Sequence, residues 1–405
     1  MASVLLYSLG ILVLVAIFST PVFARSQFQH WYAEYGFIFD RIIQENCTSE
    51  YDFYEAGRTN RTYWLDLSRW LGSGPERSEQ LTVPLINCIM EACPEFMKSD
   101  MASANVLLGL APGILAVLGS NVDETSLLAV VGKRPFLAIA LAAGSPAVVP
   151  LRPLEYRSPL EGLRPRDDEV KPRLFSFYID GLISMLEYAF VVAAIANVAQ
   201  LSYELGFDTA LAFAPGYPYL ILLWSFFGPI AHVLAALSLL FRARSIHHVS
   251  RGMSLRSCLS QMAQGIGLPS RIRTIRDDIF SDEATFHSWM RWFFIGYSRE
   301  NLPPKMTIKR ENIYILVYNA VLAVMISCHV VLGTLVFSSM LFISARDAVY
   351  ILGRFMSSVI VCRVVLAYEL AKLRLLYNID DPIPSVAGEN GNYHELVTLS
   401  HSTKK

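Results

Sequence analysis

The chain has 405 residues, of which 53% are hydrophobic and only 17% charged, and its mean hydropathy is +0.39. Soluble domains carry about 25% charged residues, so an ordinary water-soluble protein is excluded and lipid is the expected solvent. The formal net charge of −1 supplies no basic field for nucleic acid, and the placement of charges is more informative than their sum.

Val4 to Phe18 is an apolar run of signal-peptide length, followed by Val22-Phe23-Ala24, which suits a signal-peptidase site. Residues 1–24 therefore read as a signal peptide cleaved after Ala24. An uncleaved anchor is the other possibility, because Met1 to Val4 contains no Lys or Arg.

Residues 25–103 are mixed and aromatic-rich, with Trp31, Tyr32, Tyr35, Phe37 and Phe39 near the start. Trp64, Leu65, Leu67, Trp70 and Leu71 fit one apolar helical face. Two sequons, Asn46-Cys47-Thr48 and Asn60-Arg61-Thr62, predict glycosylation at Asn46 and Asn60 and put this segment on the lumenal or extracellular side. An oxidising compartment favours a disulfide from Cys47 to Cys88 or to Cys93. Cys88 and Cys93 project to different sides of a helix and are poor partners for each other; the thiol left over is expected to be buried and inert, with an intermolecular bond as the other possibility. So small a helical domain is marginal without a disulfide or docking onto the membrane part.

A hydrocarbon core of about 30 Å needs about 20 residues of helix. Phe177 to Leu201, Tyr217 to Phe241, Asn312 to Phe337 and Val349 to Ala371 meet that length. Two shorter stretches are interrupted: Ala104 to Ser120 by Pro112-Gly113, and Pro135 to Leu151 by Gly144-Ser145-Pro146. Taken together, 104–151 is expected to make one net crossing, with Ala104 to Ser120 crossing and Pro135 to Leu151 re-entrant or interfacial; exchanging the two roles leaves the sides unchanged. The Arg-rich segment 152–176, the loop 242–311 and the tail 372–405 then all become cytoplasmic, as the positive-inside rule requires. Two crossings by this pair would send every basic connection outward. The expected fold is thus an all-α polytopic helical membrane bundle, with spans in 177–241 and 312–371 and a small N-terminal helical domain outside. The membrane is the plasma membrane or one of the secretory pathway.

Asn105 to Pro112, Leu118-Gly119-Ser120, Glu124, Lys133-Arg134-Pro135, Gly144-Ser145-Pro146 and Arg152 to Pro159 form a block. It resembles one in multi-pass membrane proteins of filamentous ascomycete fungi that have no assigned function. The resemblance implies a fungal membrane protein and carries no activity, cofactor or catalytic residue with it.

Ionisable residues in hydrocarbon are costly and call for partners. Glu187, His232 and Arg363 all fall about 12 to 15 Å from the inner boundary at 1.5 Å per residue. An intramembrane polar centre, with a Glu187–Arg363 pair and His232 nearby, is one expectation. The other satisfies each residue separately, Arg363 by snorkelling inward. Asp180 is expected at the interface, Asn197, Asn319 and His329 in interhelical hydrogen bonds, Pro229 at a kink, and Tyr217, Tyr219 and Trp224 in an outer aromatic belt.

In the 242–311 loop, Arg271, Arg273 and Arg276 alternate with apolar residues, and Phe286, Trp289, Trp292, Phe293 and Phe294 cluster beside Arg291. Residues 271–294 suit the anionic inner leaflet, or equally a helical layer packed beneath the bundle. The acidic run Asp277 to Glu283 reads as a solvated loop, His247-His248 lacks partners at metal-ligand spacing, and the Pro/Gly/Asn-rich tail after Asp381 reads as disordered. No hydrolase, zinc-protease, Walker or dinucleotide-binding motif occurs, so the expectation is a non-enzymatic protein without metal or cofactor. Its leading form is a glycosylated ectodomain that binds or senses. The alternative is a transporter or channel for a small solute that uses the polar centre.

Overall fold

The computed structural model describes residues 26–59, 77–150, 159–163, 177–245, 303, 306–308 and 313–378. The expectations for residues 1–24, Asn60, the Trp64–Leu71 face, 271–294, the acidic run, His247-His248 and the 379–405 tail lie outside them.

The described residues form an all-α bundle with a small helical cap. The cap comprises α1 (Gly36–Glu45), α2 (Thr48–Thr59) and α3 (Arg77–Ala92). Helix α1 has the i, i+3, i+4 apolar spacing of an amphipathic helix and buries Phe39, Ile42 and Ile43. A disulfide ties Cys47, between α1 and α2, to Cys88 on α3. Cys93, one of the two candidate partners, is instead a buried free thiol; it lies just past the end of α3, beyond the helical face that carries Cys88.

Helix α4 (Glu95–Leu118) leaves the cap and enters the bundle. It is followed by two short helices, α5 (Val122–Val130) and α6 (Pro135–Gly144), and a 3-10 turn (Pro159–Leu163). Then come α7 (Phe177–Asp208), α8 (Leu220–Arg242), α9 (Ile313–Ser338) and α10 (Ala345–Tyr377). Strands β1 (Ala210–Leu211) and β4 (Met340–Leu341) pair antiparallel at the cap end, with Ala210 opposite Leu341. Strands β2 (Ala243–Ser245) and β3 (Met306–Ile308) pair antiparallel beside the end of α8.

Five helices, α4 and α7 to α10, are long and apolar enough to cross a membrane, and only 28% to 44% of their most apolar stretches is buried within the protein. The rest faces outward: on α8, Leu223, Phe226, Ile230 and Leu237 are exposed while Trp224, Gly228, Ala231 and Ala235 face inward. In water such a surface is an association liability; against acyl chains it is the matching solvent. The chain is therefore a multi-pass membrane protein.

The cap shares its core with the bundle. Phe342, just after β4, packs its ring 5.3 Å from Phe39 and 5.4 Å from Trp31. Its backbone φ of 68° lies in the left-handed region that a bulky residue rarely adopts, and it is held there among buried aromatic rings. Asp100 on α4 accepts hydrogen bonds from the Tyr35 hydroxyl (2.9 Å) and the Ala345 amide (3.1 Å), the latter at the positive N-terminal end of α10.

Several local expectations change. Helix α4 runs through Pro112-Gly113 without ending and stops at Leu118; the proline packs against α9, where Gly333 leaves room for it and for the Trp224 ring. Trp224 does not belong to an outer belt. It is almost fully buried, stacks on His329 at 5.1 Å and donates its indole N–H to the His329 carbonyl. Tyr217 and Tyr219 are exposed. Pro229 sits inside a helix that continues on both sides of it.

Candidate functional site

The segment between α4 and α6 builds the interior. Gly109 of α4 lies against Ser338, the last residue of α9, so the nine residues from there to Leu118 descend about 14 Å below the cap end. His329, nine residues before Ser338, is at the same depth, and its Nε2 lies 3.0 Å from the Pro146 carbonyl. Helix α4 therefore stops midway down the bundle.

Asn121 caps α5 by accepting from the Asp123 amide. The α5 helix then continues the descent: Leu127 reaches Gly162, whose carbonyl accepts from Arg374 near the far end of α10. Lys133, at φ 52°, turns the chain, Pro135 opens α6, and α6 climbs back until Gly144 meets Cys362 and Ala194. Helix α6 ends there, where Gly144-Ser145-Pro146 interrupts the apolar run. The two interruptions, 119–121 and 145–148, then touch at mid-depth. A Cβ on Gly119 would be 2.8 Å from the Ala147 carbonyl and 3.2 Å from the Ser145 Oγ. Helix α4 ends at Leu118, close to the expected Ser120, and α5 continues beyond it in the same direction.

Below this crossing lies a buried charge cluster. Arg134, the residue before Pro135, directs Nη1 to Glu187 of α7 (2.8 Å) and Glu369 of α10 (2.6 Å), and Nη2 donates to the Ser184 Oγ at 2.6 Å. The three charged side chains are 2%, 7% and 6% exposed respectively. The Tyr188 ring lies 5.7 Å from the guanidinium carbon. Further along the same helices, Lys372 faces Asp180 at 3.6 Å. Asp180, Ser184 and Glu187 recur at i, i+4 and i+7 on α7, which aligns them on one face. Glu369 and Lys372 are likewise i and i+3 on α10.

The Glu187–Arg363 pair is not formed. Glu187 belongs to Arg134, Arg363 pairs with Glu124 of α5, and the His232 Nδ1 lies 2.7 Å from the Thr125 Oγ1. Equal depth does not place side chains on facing sides; α5 and α6 occupy the space between α10 and α8 and supply the partners. Asp180 lies in the first turn of α7 and is buried against protein. The interhelical bonds expected of Asn197 and Asn319 are present, Asn197 to Arg354 and Ser358 and Asn319 from Ser238, whereas the His329 ring meets the carbonyl of Pro146 in the irregular segment after α6.

Arg134 and Glu369 escaped the sequence reading. Arg134 precedes a segment too short to be counted as a span, and Glu369 sits two residues before the expected end of its span at Ala371, where α10 runs on to Tyr377. The one available signal was that an Arg-Pro pair opens an apolar run.

Several buried polar atoms make no hydrogen bond among the described residues: Ser120 Oγ, Ser145 Oγ and His329 Nδ1 around the crossing, and Glu187 Oε1 and Arg134 Nε in the cluster. No group of three His, Cys, Asp or Glu side chains suited to a metal ion occurs among the described residues. No family model matches the chain, and no curated protein and no solved structure matches it.

Proposed function

We propose that this is a non-enzymatic transporter or channel for a small solute, acting through the centre of its bundle. The observation that carries the reading is the contact at mid-depth between two interrupted segments, directly above the Arg134–Glu187–Glu369 cluster. Irregular backbone at membrane depth survives only inside protein or beside a polar path. Paired broken segments mark substrate sites in transporters, and buried ionisable groups mark ion or proton routes.

In this reading the disulfide-bonded cap faces the lumen or the cell exterior, in the secretory pathway or plasma membrane of a fungal cell. Asn46, which is exposed at the end of α1, carries a glycan, as does Asn60. The Arg-rich connections face the cytosol, with 271–294 against anionic lipid.

Purified full-length protein in liposomes loaded with a pH-sensitive dye provides the test. An imposed gradient is expected to decay faster than in protein-free vesicles, alone or after addition of amino acids, sugars or monovalent cations. Decay identical to empty vesicles under all these conditions removes the reading. A binding or sensing ectodomain is the second reading, favoured by the exposed Phe37 and Phe96 on and beside the cap.

A further inference from the structure

We infer that the Arg134 cluster is a proton-binding site, in which Glu187 and Glu369 share one proton at neutral pH. The inference deepens the transport reading, though proton binding can be measured without transport.

Charge and geometry carry it. With every group ionised, the cations Arg134 and Lys372 face the anions Asp180, Glu187 and Glu369, so among the described residues one negative charge has no counter-ion. An uncompensated charge in a dry interior is strongly disfavoured, and protonation is the usual escape. Both glutamates converge on one nitrogen of Arg134, which leaves Glu187 Oε1 fully buried and without a hydrogen bond. Protonating Glu187 removes the uncompensated charge, and the Glu369 carboxylate that shares the same Arg134 nitrogen is the neighbouring group with which the proton is shared. The step is simple uptake: a proton from water adds to the Glu187 carboxylate, no other bond breaks, and the cluster becomes neutral.

Among the described residues, the ionisable groups on the elements packed around the cluster are engaged elsewhere or lie at its margin. On α5, Glu124 is occupied by Arg363. On α8, His232 is turned to Thr125 and Arg242 lies at the helix end. On α10, Tyr368 precedes Glu369, and Arg374 is directed to the Gly162 carbonyl. Lys133 precedes Arg134 and is only half-buried.

Infrared spectroscopy of the full-length protein in lipid nanodiscs decides the matter. At about pH 7 exposed carboxyls, with pKa values near about 4, are ionised, so a carbonyl stretch from a protonated acid reports a buried one. The expected result is one such acid per chain, shifted in D2O, abolished at strongly alkaline pH, lost in Glu187→Gln and Glu369→Gln, and retained in Glu124→Gln. A wild-type spectrum without that band at neutral pH overturns the inference and requires no variant to fold. So does a band that persists in both glutamine variants. Absence of flux with the band present counts against transport alone; flux with the band absent counts against the proton site alone.

Discussion

The guanidinium of Arg134 meets the carboxylate of Glu369 at 2.6 Å, although three membrane-length helices separate them in the chain. This contact and its twin to Glu187 lock the start of the short helix α6 to α7 and α10. Replacing Arg134 with Met leaves the buried Glu187–Glu369 pair without its counter-ion, and removing one partner of a buried ion pair costs roughly 3–5 kcal/mol. The triple replacement Arg134→Met, Glu187→Leu and Glu369→Leu is expected to recover most of that loss, since apolar substitutes of similar volume are often neutral or better. Thermal unfolding in detergent of the single and triple variants checks the order.

The crossing of the two broken segments depends on glycine. A Cβ on Gly228 would stand 2.4 Å from the Pro146 carbonyl oxygen, whereas one on Gly353 would meet nothing within 4 Å. Gly228→Ala should therefore destabilise by roughly 1–3 kcal/mol through overpacking. Gly353→Ala should be neutral or slightly stabilising, by up to about 1 kcal/mol of helix propensity. Equal melting temperatures for the two variants would contradict the close approach at Pro146.

The cap depends on one disulfide closing a sequence separation of 41 residues. Cys88→Ser should abolish the faster migration of the unreduced protein on gels and cost roughly 2–4 kcal/mol. Cys93→Ser should leave migration unchanged. Burial pushes the Cys93 thiol above its ordinary pKa against the pull of Lys98, so native protein should label slowly there with maleimide. Rapid labelling of Cys93 would show that the cap core is open.

Asp100 joins the cap to the start of α10. Removing its carboxylate with Asp100→Ala strands the Tyr35 hydroxyl and the Ala345 amide and should cost about 1–3 kcal/mol. Burial, and next the hydrogen bond to Asp100, push the Tyr35 hydroxyl up to about 12. A group whose folded pKa is raised contributes stability below its unfolded value, near about 10, and loses it as pH rises through the folded value. Melting temperature should accordingly fall more steeply between about pH 10 and 12 in wild type than in Tyr35→Phe. Parallel curves would remove the role assigned to this bond.

Residue order by itself determined the solvent of the chain and its helical class, because about 20 apolar residues in a row have one stable form in hydrocarbon. It also determined four of the five long helices to within a few residues at most ends, and a disulfide from Cys47 with two candidate partners. Only the tertiary structure decided between Cys88 and Cys93, because helix phase and approach, not spacing, bring two sulfurs together. Only the tertiary structure gave Glu187 to Arg134 and Glu369, and Arg363 to Glu124. Hydrophobicity fixes how deep a charged side chain lies along the helix axis, but the partner depends on rotation about that axis and on which helices are neighbours. Here those were settled by α5 and α6, two helices too short for a hydropathy pattern to place.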